Sequence, residues 1–340
     1  MDAARVKAWG LGFGVFSSIA FGTSGAFGKA LIGAGMSPLQ ASWTRVAGAT
    51  LVLVPVALAL RHRAAGVAVR RRWRLLLLYG VMAVAGCQAL YFIAASRLPV
   101  GVAILLEFTG PVLVVGWTRF VLRTSLPRSA AVGVGIALVG LACVVEVWSG
   151  LRLDLLGVLA GFAAAACQAT FFLAVDRASG QIDPLVMTAV GFAIATVTLA
   201  VAAPPWHVPW HVLTGDVAFG DHTAPGWLLL TLLVLISTVA AYVMSVAAVH
   251  RLSAPIAGAV GYVEAVAAAL FAWLTLGEHL SPVQLAGGVI VLAGAFVAQR
   301  SVAPRGPLAG DPAIVYTGTD DVVAAAPPRL DALLTEDNPR

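Results

Sequence analysis

The sequence predicts an all-α integral membrane protein with ten transmembrane helices, arranged as two inverted five-helix repeats. Three observations support this prediction. Of the 340 residues, 60% are hydrophobic and only 11% are charged, whereas a soluble domain carries about 25% charged residues. Apolar runs of bilayer-crossing length, which is about 20 residues, recur along most of the chain. The two halves of the chain also share sequence patterns.

The apolar runs follow one another with mostly short connections. Prolines stand at or near the start of several runs, where a missing N–H group is tolerated, as at Pro38, Pro184 and Pro282. The first run is expected to remain uncleaved, because its removal would break the repeat. The predicted spans are residues 8–31, 38–60, 75–95, 99–121, 129–148, 154–175, 184–203, 227–249, 254–275 and 281–299.

The distribution of lysine and arginine predicts the orientation. If the N-terminus is inside, the outer loops hold only Arg97 and Arg152, and the longest of them, residues 204–226, holds neither residue type. This asymmetry predicts a multi-pass protein of the plasma (inner) membrane with both termini cytoplasmic. Residues 300–340 are predicted to form a disordered cytoplasmic tail, because six prolines and several acidic residues replace the apolar pattern there.

Three stretches of the first half reappear in the second half. The matching pairs begin at Ser37 and Asp183, at Arg97 and Arg251, and at Thr124 and Glu278. The offset is 146 residues for the first pair and 154 for the others, and the eight extra residues fit the outer loop 204–226. Each predicted repeat, residues 8–148 and 154–299, has five spans, so the second enters the membrane inverted. Inverted repeats are typical of secondary transporters, which bind substrate between the halves.

Two of these stretches carry a family resemblance. The second-half stretch VEAVAAALFAWLTLGEHLSPVQLAGGVIVLAGAF resembles the second-repeat signature of EamA-type transporters in the drug/metabolite transporter superfamily. A proline often follows the glutamate of that signature, and here Ala265 follows Glu264. The first-half stretch LPVGVAILLEFTGPV is similar to the inner-membrane threonine/homoserine exporter branch. The resemblance covers about residues 8–299 and implies efflux of amino acids or similar metabolites against an inward proton flow.

The apolar stretch from Arg97 to Arg119 contains two features that are costly in lipid, Glu107 and Pro111. An ionisable residue at the centre of a membrane helix costs roughly 2.5–3.5 kcal/mol. Pro111 removes the amide that would bond the carbonyl of Glu107, which then needs another partner or a water-lined cavity. The carboxylate could alternately hold a proton and an ammonium group, which is the simplest route to proton antiport. The alternative is a static ion pair with Arg45 or Lys29, which lie at compatible depths.

Five further residues complete the candidate site. Arg45 is expected either to hold a substrate carboxylate or to pair with the carboxylate of the fourth span. Glu264 is either a second gating or proton site, or a hydrogen bond that locks its helix to a neighbour. Gln88 and Gln168 either bind a zwitterion or pack between helices. Tyr91 is either part of a pocket wall or a packing residue.

The motifs of several other protein classes are missing from the sequence. It contains no HExxH, no Walker loop and no CxxC, so we expect no enzyme activity, no cofactor and no nucleic-acid partner. In the outer loop, His207 and His211 are four residues apart, but Pro209 disfavours a helix that would place both on one face. Trp206 and Trp210 favour an interfacial belt over a metal site.

The leading hypothesis is therefore a proton-coupled exporter of amino acids or related small metabolites. Its expected partners are the small-molecule substrate, protons and the lipid bilayer, and a homodimer remains open. A second hypothesis is transport of another metabolite or a cationic drug, by uptake or efflux. A third is a membrane scaffold without transport activity.

Overall fold

The computed structural model describes residues 3–110, 112–113, 116, 119, 128–145, 154–178, 181–249 and 260–301. The predicted break at Pro111 lies outside the described residues, as does the predicted tail after Ser301. The expectations for these two segments therefore stay predictions.

Helices account for nearly all of the regular structure in the described residues, as predicted. They are α1 (Ala3–Gly22), α2 (Ser24–Gly33), α3 (Pro38–Leu78), α4 (Cys87–Arg97), α5 (Val100–Glu107), α6 (Arg128–Val145), α7 (Leu155–Ala178), α8 (Pro184–Ala202), α9 (His211–Thr214), α10 (Gly226–Val234), α11 (Ala241–Val249), α12 (Val263–Leu276) and α13 (Pro282–Ser301). Two π-helical segments, π1 (Tyr79–Gly86) and π2 (Leu235–Ala240), continue α3 into α4 and α10 into α11.

The lengths of these helices fit a membrane protein. Within the described residues, six helical segments are long and apolar enough to cross a bilayer: Ala8–Gly33, Pro38–Arg61, Ala65–Arg97, Leu155–Val175, Pro184–Ala202 and Gly226–Ser245. Shorter apolar helices cover Arg128–Val144, Val263–Leu276 and Pro282–Val297. The fourth predicted span begins with α5 and runs into residues that are not described.

One predicted connection is wrong, and another contains regular structure that the sequence analysis did not predict. The second and third spans are not separated by a loop, because α3 continues through residues 61–74 with backbone kinks at Arg61 and Arg72. Arginine and alanine make up nine of these 14 residues, and both are strong helix formers. The outer loop contains a hairpin that the sequence analysis did not predict. Strands β1 (Asp216–Phe219) and β2 (His222–Pro225) pair in it as an antiparallel hairpin, with Gly220 at positive φ in the turn.

Equivalent caps start the second span of each half. Ser37 and Gln40 form a reciprocal capping box at the start of α3, with a proline at the next position. Asp183, 146 residues later, accepts hydrogen bonds from the backbone N–H groups of Leu185 and Val186 at the start of α8, again before a proline. The side chain caps the helix in both halves, so these starts follow from local sequence.

The helices pack in pairs that respect the repeat. Helix α3 contacts α8, α5 contacts α12, and α6 contacts α13, so each of these spans packs against its own counterpart. The contact between α4 and α7 is matched by one between α11 and α1. Exchanging the two halves leaves these particular helix contacts unchanged, which is the packing expected for two halves related by an approximate two-fold axis.

Glycines bring α6 and α13 into close contact. A Cβ atom built on Gly140 would lie 2.5 Å from the backbone N of Val291 and 2.7 Å from the carbonyl oxygen of Gly287. A Cβ atom on Gly294 would lie 2.7 Å from the carbonyl oxygen of Gly133. Glycine is needed at both positions because only a hydrogen fits between the two backbones.

The outer loop packs onto the helix ends. Val208, Val212 and Val217 are each no more than 4% exposed and belong to the main hydrophobic core. Phe219 of the hairpin stacks on Phe27 of α2, with ring centroids 5.6 Å apart, and also contacts Phe271 of α12. The loop therefore covers the ends of the first and ninth spans.

Candidate functional site

Arg45 lies on α3 in the core of the protein, and only 2% of it is exposed. Its Nε donates to Thr238 Oγ1 at 2.8 Å, its Nη1 to Gln88 Oε1 at 2.8 Å, and its Nη2 to the Ser237 carbonyl oxygen at 3.1 Å. Its guanidinium also lies 5.7 Å from the centre of the Phe92 ring. Among the described side chains Arg45 forms no ion pair, so neutral acceptors hold this charge.

The π2 segment supplies most of those acceptors. The Thr238 hydroxyl donates to the Leu233 carbonyl oxygen, five residues earlier, and so can accept from Arg45. The Ser237 hydroxyl lies 2.6 Å from that of Thr23, at the break between α1 and α2. A π-helical turn therefore joins the interrupted first span to Arg45. Such turns occur frequently at functional sites.

The other π-helical segment, π1, occupies the equivalent place in the first half. It ends at Gly86, and π2 ends at Ala240, 154 residues later, which is the repeat offset for this part of the chain. The next two residues after π1 are Cys87 and Gln88, and both reach the candidate site. The paired π segments thus flank the site from both halves, a feature that hydropathy did not predict.

Glu107 is the last residue of α5 and is 9% exposed. Its Oε1 accepts a hydrogen bond from Cys87 Sγ at 3.1 Å and one from Gln168 Nε2 at 3.3 Å. The amide oxygen of Gln168 is itself buried and has no hydrogen-bond partner among the described residues. Gly110 makes room for this amide, since a Cβ atom there would lie 2.6 Å from the oxygen. The amide that donates to Glu107 thus also carries an oxygen that can accept a further hydrogen bond.

Glu264 lies in the first turn of α12 and lines a cavity of about 90 Å³. Ser17, Ser18 and Phe21 of α1 and Ser245 of α11 contribute to the wall. A water occupies about 30 Å³ in the liquid, so this polar cavity has room for a few waters. It lies between the first, eighth and ninth spans, whereas Glu107 lies between the third, fourth and sixth.

The charged residues near Glu107 and at the Glu264 cavity interact electrostatically. Arg45, Glu107 and Glu264 are within electrostatic range of one another, and the Tyr91 ring lies near all three. Tyr91 is 4% exposed and packs against Phe92, with ring centroids 5.7 Å apart. Both carboxylates thus lie within electrostatic range of one guanidinium, and neither forms a hydrogen bond or ion pair with it.

The structure therefore brings most of the predicted site residues together. Arg45 bonds Gln88 directly, and Glu107 bonds Gln168 directly, while the neighbours Cys87 and Gln88 join the two groups along α4. Tyr91 lies one turn further along α4. Glu264 stands apart at the cavity between the first and ninth spans.

Lys29 contacts neither Glu107 nor Arg45 and pairs with a residue that the sequence analysis did not consider. Its Nζ lies 2.6 Å from Glu278 Oε1 and donates to the Leu98 carbonyl oxygen at 2.8 Å. Glu278 Oε2 accepts from the backbone N–H of Val100 at 2.6 Å. This network ties α2 to the start of α5 and to the connection between α12 and α13. Glu278 follows an apolar helix directly, which is the signal that could have indicated it.

The remaining predicted features of the outer face lie at the surface. Trp206 and Trp210 are 76% and 47% exposed. In the part of the chain that the structure describes, no group of three or more His, Cys, Asp and Glu side chains comes together as a metal site.

At the start of α7, Asp154 accepts from the backbone N–H of Gly157 and pairs with Arg97, and these contacts lower the pKa of its carboxyl.

Comparison with known proteins identifies the family. A family model described as the EamA-like transporter family matches residues 8–146 and again residues 155–299. The chain belongs to the EamA-like transporter family. It is thus a multi-pass transporter of the inner membrane with the ten-helix fold of that family, and the resemblance noted in the sequence is confirmed.

The named proteins that the chain matches are distant relatives, with less than 30% sequence identity. The chain is 29% identical over 226 residues to the threonine/homoserine exporter RhtA of Escherichia coli K12, covering 64% of this chain and 68% of that one. It is 28% identical over 248 residues to RhtA of Salmonella typhimurium SL1344, covering 71% and 75%. A solved crystal structure, 18% identical, superposes with a TM-score of 0.53 over 88% of this chain and 96% of the other. That likeness supports the fold alone.

Proposed function

We propose that this EamA-family transporter exports amino acids of the threonine and homoserine type, or related small metabolites, by proton antiport. The observation that carries the proposal is the environment of Glu107. This buried carboxyl makes its hydrogen bonds with Cys87 and Gln168, and no described cationic side chain pairs with it. A substrate ammonium group and a proton can therefore compete for it. The names of the curated relatives support the choice of substrate class.

Glu107 and Gln168 are suited to the amino end of a zwitterion. An ammonium group has three donors and no acceptor. The Glu107 carboxylate and the unpaired Gln168 amide oxygen are two acceptors beside each other. When the ammonium group leaves, a proton can neutralise the carboxylate before the empty transporter turns back. Competition for one carboxylate thus couples export of substrate to entry of a proton.

Arg45 is suited to the carboxylate end. Its three donor groups now bind Thr238, Gln88 and the Ser237 carbonyl oxygen, all of them neutral acceptors. A substrate carboxylate would bind the guanidinium more strongly than these neutral groups, because it carries the opposite charge and can accept two parallel hydrogen bonds from the guanidinium. Substrate binding would then release Arg45 from π2 and free the eighth span to move. In this mechanism the substrate itself unlocks the helix that Arg45 holds.

The energy of the proposed antiport is adequate. The membrane potential supplies about 2.3 kcal/mol per charge for each 100 mV. One proton per cycle would therefore support roughly fiftyfold accumulation, since 1.4 kcal/mol corresponds to a factor of about ten. In this proposal both termini are cytoplasmic, the repeats of residues 8–148 and 154–299 are inverted, and the substrate site lies between them.

The test is transport in proteoliposomes with an imposed pH gradient and radiolabelled threonine. Wild type should accumulate threonine when the gradient is present. Glu107→Gln should lose gradient-driven accumulation and keep threonine–threonine exchange, because the amide still accepts hydrogen bonds but cannot carry a proton. Asp221→Asn is the matched control, since this carboxylate is exposed in the hairpin turn, and it should behave as wild type.

The outcomes separate the parts of the proposal. If Glu107→Gln matches wild type in gradient-driven transport, the proton role of Glu107 is wrong. If wild type exchanges threonine but ignores the gradient, the antiport mechanism is wrong. If a panel of amino acids gives no transport at all, the substrate class is wrong and another metabolite takes its place.

A second candidate, efflux of organic cations, is favoured by one observation. Neutral protein groups already accept a hydrogen bond from each of the three guanidinium nitrogens of Arg45, whereas Glu107 remains free to accept a cation. A cation without a carboxylate would use Glu107 and leave Arg45 in place. Arg45→Ala distinguishes the two candidates, because it should abolish amino-acid transport and spare cation transport.

A further inference from the structure

We propose that residues 61–75, here called the basic segment, form a binding surface for the headgroups of anionic phospholipids. This surface lies away from the transport site, and the proposal does not depend on the substrate. It rests on the shape of α3, on the residues that the basic segment buries and exposes, and on its charge.

The backbone sets the basic segment apart from the spans on either side of it. Helix α3 departs from helical backbone angles at Arg61 (φ −142°, ψ 29°) and again at Arg72 (φ −127°, ψ 26°). The residues between the kinks remain helical. A short helix between two kinks lies at the point where the second span has ended and the third has not begun, which is the membrane boundary.

One side of the basic segment is fixed to the protein. Ala65 and Ala68 are 9% and 6% exposed, and they belong to the same hydrophobic cluster as Ala178 and Ile182, between α7 and α8. The side chain of Arg61 also pairs with Asp183 at the start of α8, at 3.1 Å. The basic segment is therefore held in place on one side, and its other side faces away from the protein.

The side of the basic segment that faces away from the protein is strongly basic. Arg70, Arg71, Arg72 and Arg74 are exposed, and none of them forms an ion pair with a described residue. Residues 61–78 contain no acidic residue. A groove of about 380 Å³ runs along residues 71–75. Arginine presents a planar set of donors that matches phosphate, so this surface is complementary to phosphate groups.

Apolar side chains among the arginines favour a membrane over a soluble anion. Val67 and Val69 are 55% and 45% exposed, and Trp73 is 53% exposed. The guanidinium of Arg74 lies 5.3 Å from the centre of the Trp73 ring. Tryptophan beside basic residues is typical of the membrane interface, and basic clusters next to a transmembrane helix bind anionic lipids. A free phosphate ion would not need the exposed valines.

The experiment compares thermal unfolding of the full-length protein in nanodiscs. One set contains phosphatidylcholine alone, and the other contains 30% phosphatidylglycerol. Wild type should melt several degrees higher with phosphatidylglycerol, and 0.5 M NaCl should remove most of the gain, because salt screens charges. Arg70→Gln, Arg71→Gln and Arg74→Gln together should abolish the gain. In native mass spectrometry this triple variant should retain at least about tenfold less phosphatidylglycerol, since each arginine near an anionic surface contributes roughly a fivefold factor.

Two further variants make the test decisive. Arg119→Gln, Arg128→Gln and Arg177→Gln together remove the same charge from exposed positions outside the basic segment, and this variant should keep the gain. Replacing Arg70, Arg71 and Arg74 by lysine should keep most of it, which shows that the glutamine variant does not act through misfolding.

Equal loss in both glutamine variants would mean that net charge alone attracts the lipid, and the proposal would be wrong. An equal gain from 20 mM inorganic phosphate in phosphatidylcholine would assign the surface to a free anion and would also overturn it. If the stability of wild type does not depend on the lipid, the proposal is wrong as well. The surface would then bind another acidic partner, such as the chain's own acidic residues 311–337.

Discussion

The hydroxyl oxygens of Thr50 and Thr196 lie 2.8 Å apart, although the residues are 146 positions apart in the chain. This separation equals the repeat offset, so Thr50 and Thr196 are equivalent residues of the two halves, and they contact each other. A residue contacts its own counterpart only where a two-fold axis passes between them, as in a symmetric dimer interface. The contact therefore locates the approximate axis that relates α3 to α8.

A double-mutant cycle on this pair should show direct coupling. Thr50→Val and Thr196→Val each remove one hydroxyl, and the loss from the double variant should be smaller than the sum of the single losses by about 0.6 kcal/mol, a typical value inside membrane proteins. The measurement is the free energy of unfolding in mild detergent. Within the part of the chain that the structure describes, Thr231 bonds only the Trp227 carbonyl oxygen of its own helix, so Thr231→Val should be additive with either variant. Additivity of Thr50→Val and Thr196→Val would contradict the contact.

The same symmetry predicts which glycines tolerate a side chain. Gly140 of α6 faces the α13 backbone, whereas a Cβ atom on Gly135 of the same helix would meet nothing within 4 Å. Gly140→Val should destabilise the protein by about 1–3 kcal/mol, because the two helices must separate. Gly135→Val should be near neutral, and it controls for the change in helix propensity.

Thermal unfolding in detergent measures both glycine variants. Gly294 contacts the Gly133 carbonyl oxygen from the other helix, so Gly294→Val should cost about as much as Gly140→Val. Equal tolerance of valine at positions 135 and 140 would show that the close approach of α6 and α13 is wrong.

The sequence predicts the spans well because a bilayer imposes a simple requirement on composition. It fails where packing or local propensity decides, as in residues 61–74, which hydropathy reads as a connection and which fold as helix. The π segments are also beyond hydropathy, which measures how apolar a stretch is and does not separate a π-helical turn from an α-helical one. Tyr79–Gly86, for example, is as apolar as an ordinary membrane helix. Their matching positions in the two halves are visible only after the repeat is known.

At the site, the sequence identifies the charged residues but not their partners. Arg45, Glu107 and Glu264 stand out because charge is costly in lipid. Depth along the spans suggested an Arg45–Glu107 pair, and the structure instead gives Arg45 to Thr238 and Ser237. Almost wholly apolar helices do not reveal which face points inward, so partners cannot be assigned from the sequence. The hydrogen bond from Cys87 to Glu107 is hidden from the sequence for the same reason.

The Lys29–Glu278 network should behave as more than an ion pair. Glu278→Gln should destabilise the protein by about 1–2 kcal/mol, because the Val100 amide and Lys29 both lose a charged partner. Exchanging the two residues, Lys29→Glu with Glu278→Lys, would restore a simple ion pair. It should not restore stability here, because a lysine at position 278 cannot accept from the Val100 amide.

Thermal unfolding in detergent tests these variants as well. Arg97→Met is the control, since the Arg97–Asp154 pair is more exposed, at 42% and 40% of the side chains, and exposed pairs contribute only about 0–1 kcal/mol. Full recovery in the exchanged variant would reduce the network to its ion pair and refute the contribution of the backbone contact.

Phe219 should hold the outer hairpin on the helix ends. It stacks on Phe27 at an interplanar angle of 20° and contacts Phe271, so it joins the first and ninth spans through one ring. Phe219→Ala should raise hydrogen exchange of residues 216–225 by at least about tenfold, since a half-buried phenylalanine contributes about 1–3 kcal/mol. Phe219→Leu should recover part of the protection, and Trp206→Ala, at an exposed ring of the same loop, should leave exchange unchanged.

The hairpin should also limit the release of substrate. Phe27 and Phe271 lie on the first and ninth spans, and deeper parts of these spans carry Ser17 and Glu264. Loosening the hairpin by Phe219→Ala should therefore speed the exchange of bound substrate with the outer solution. Faster hydrogen exchange without faster substrate exchange would show that the hairpin covers the helix ends but does not limit release.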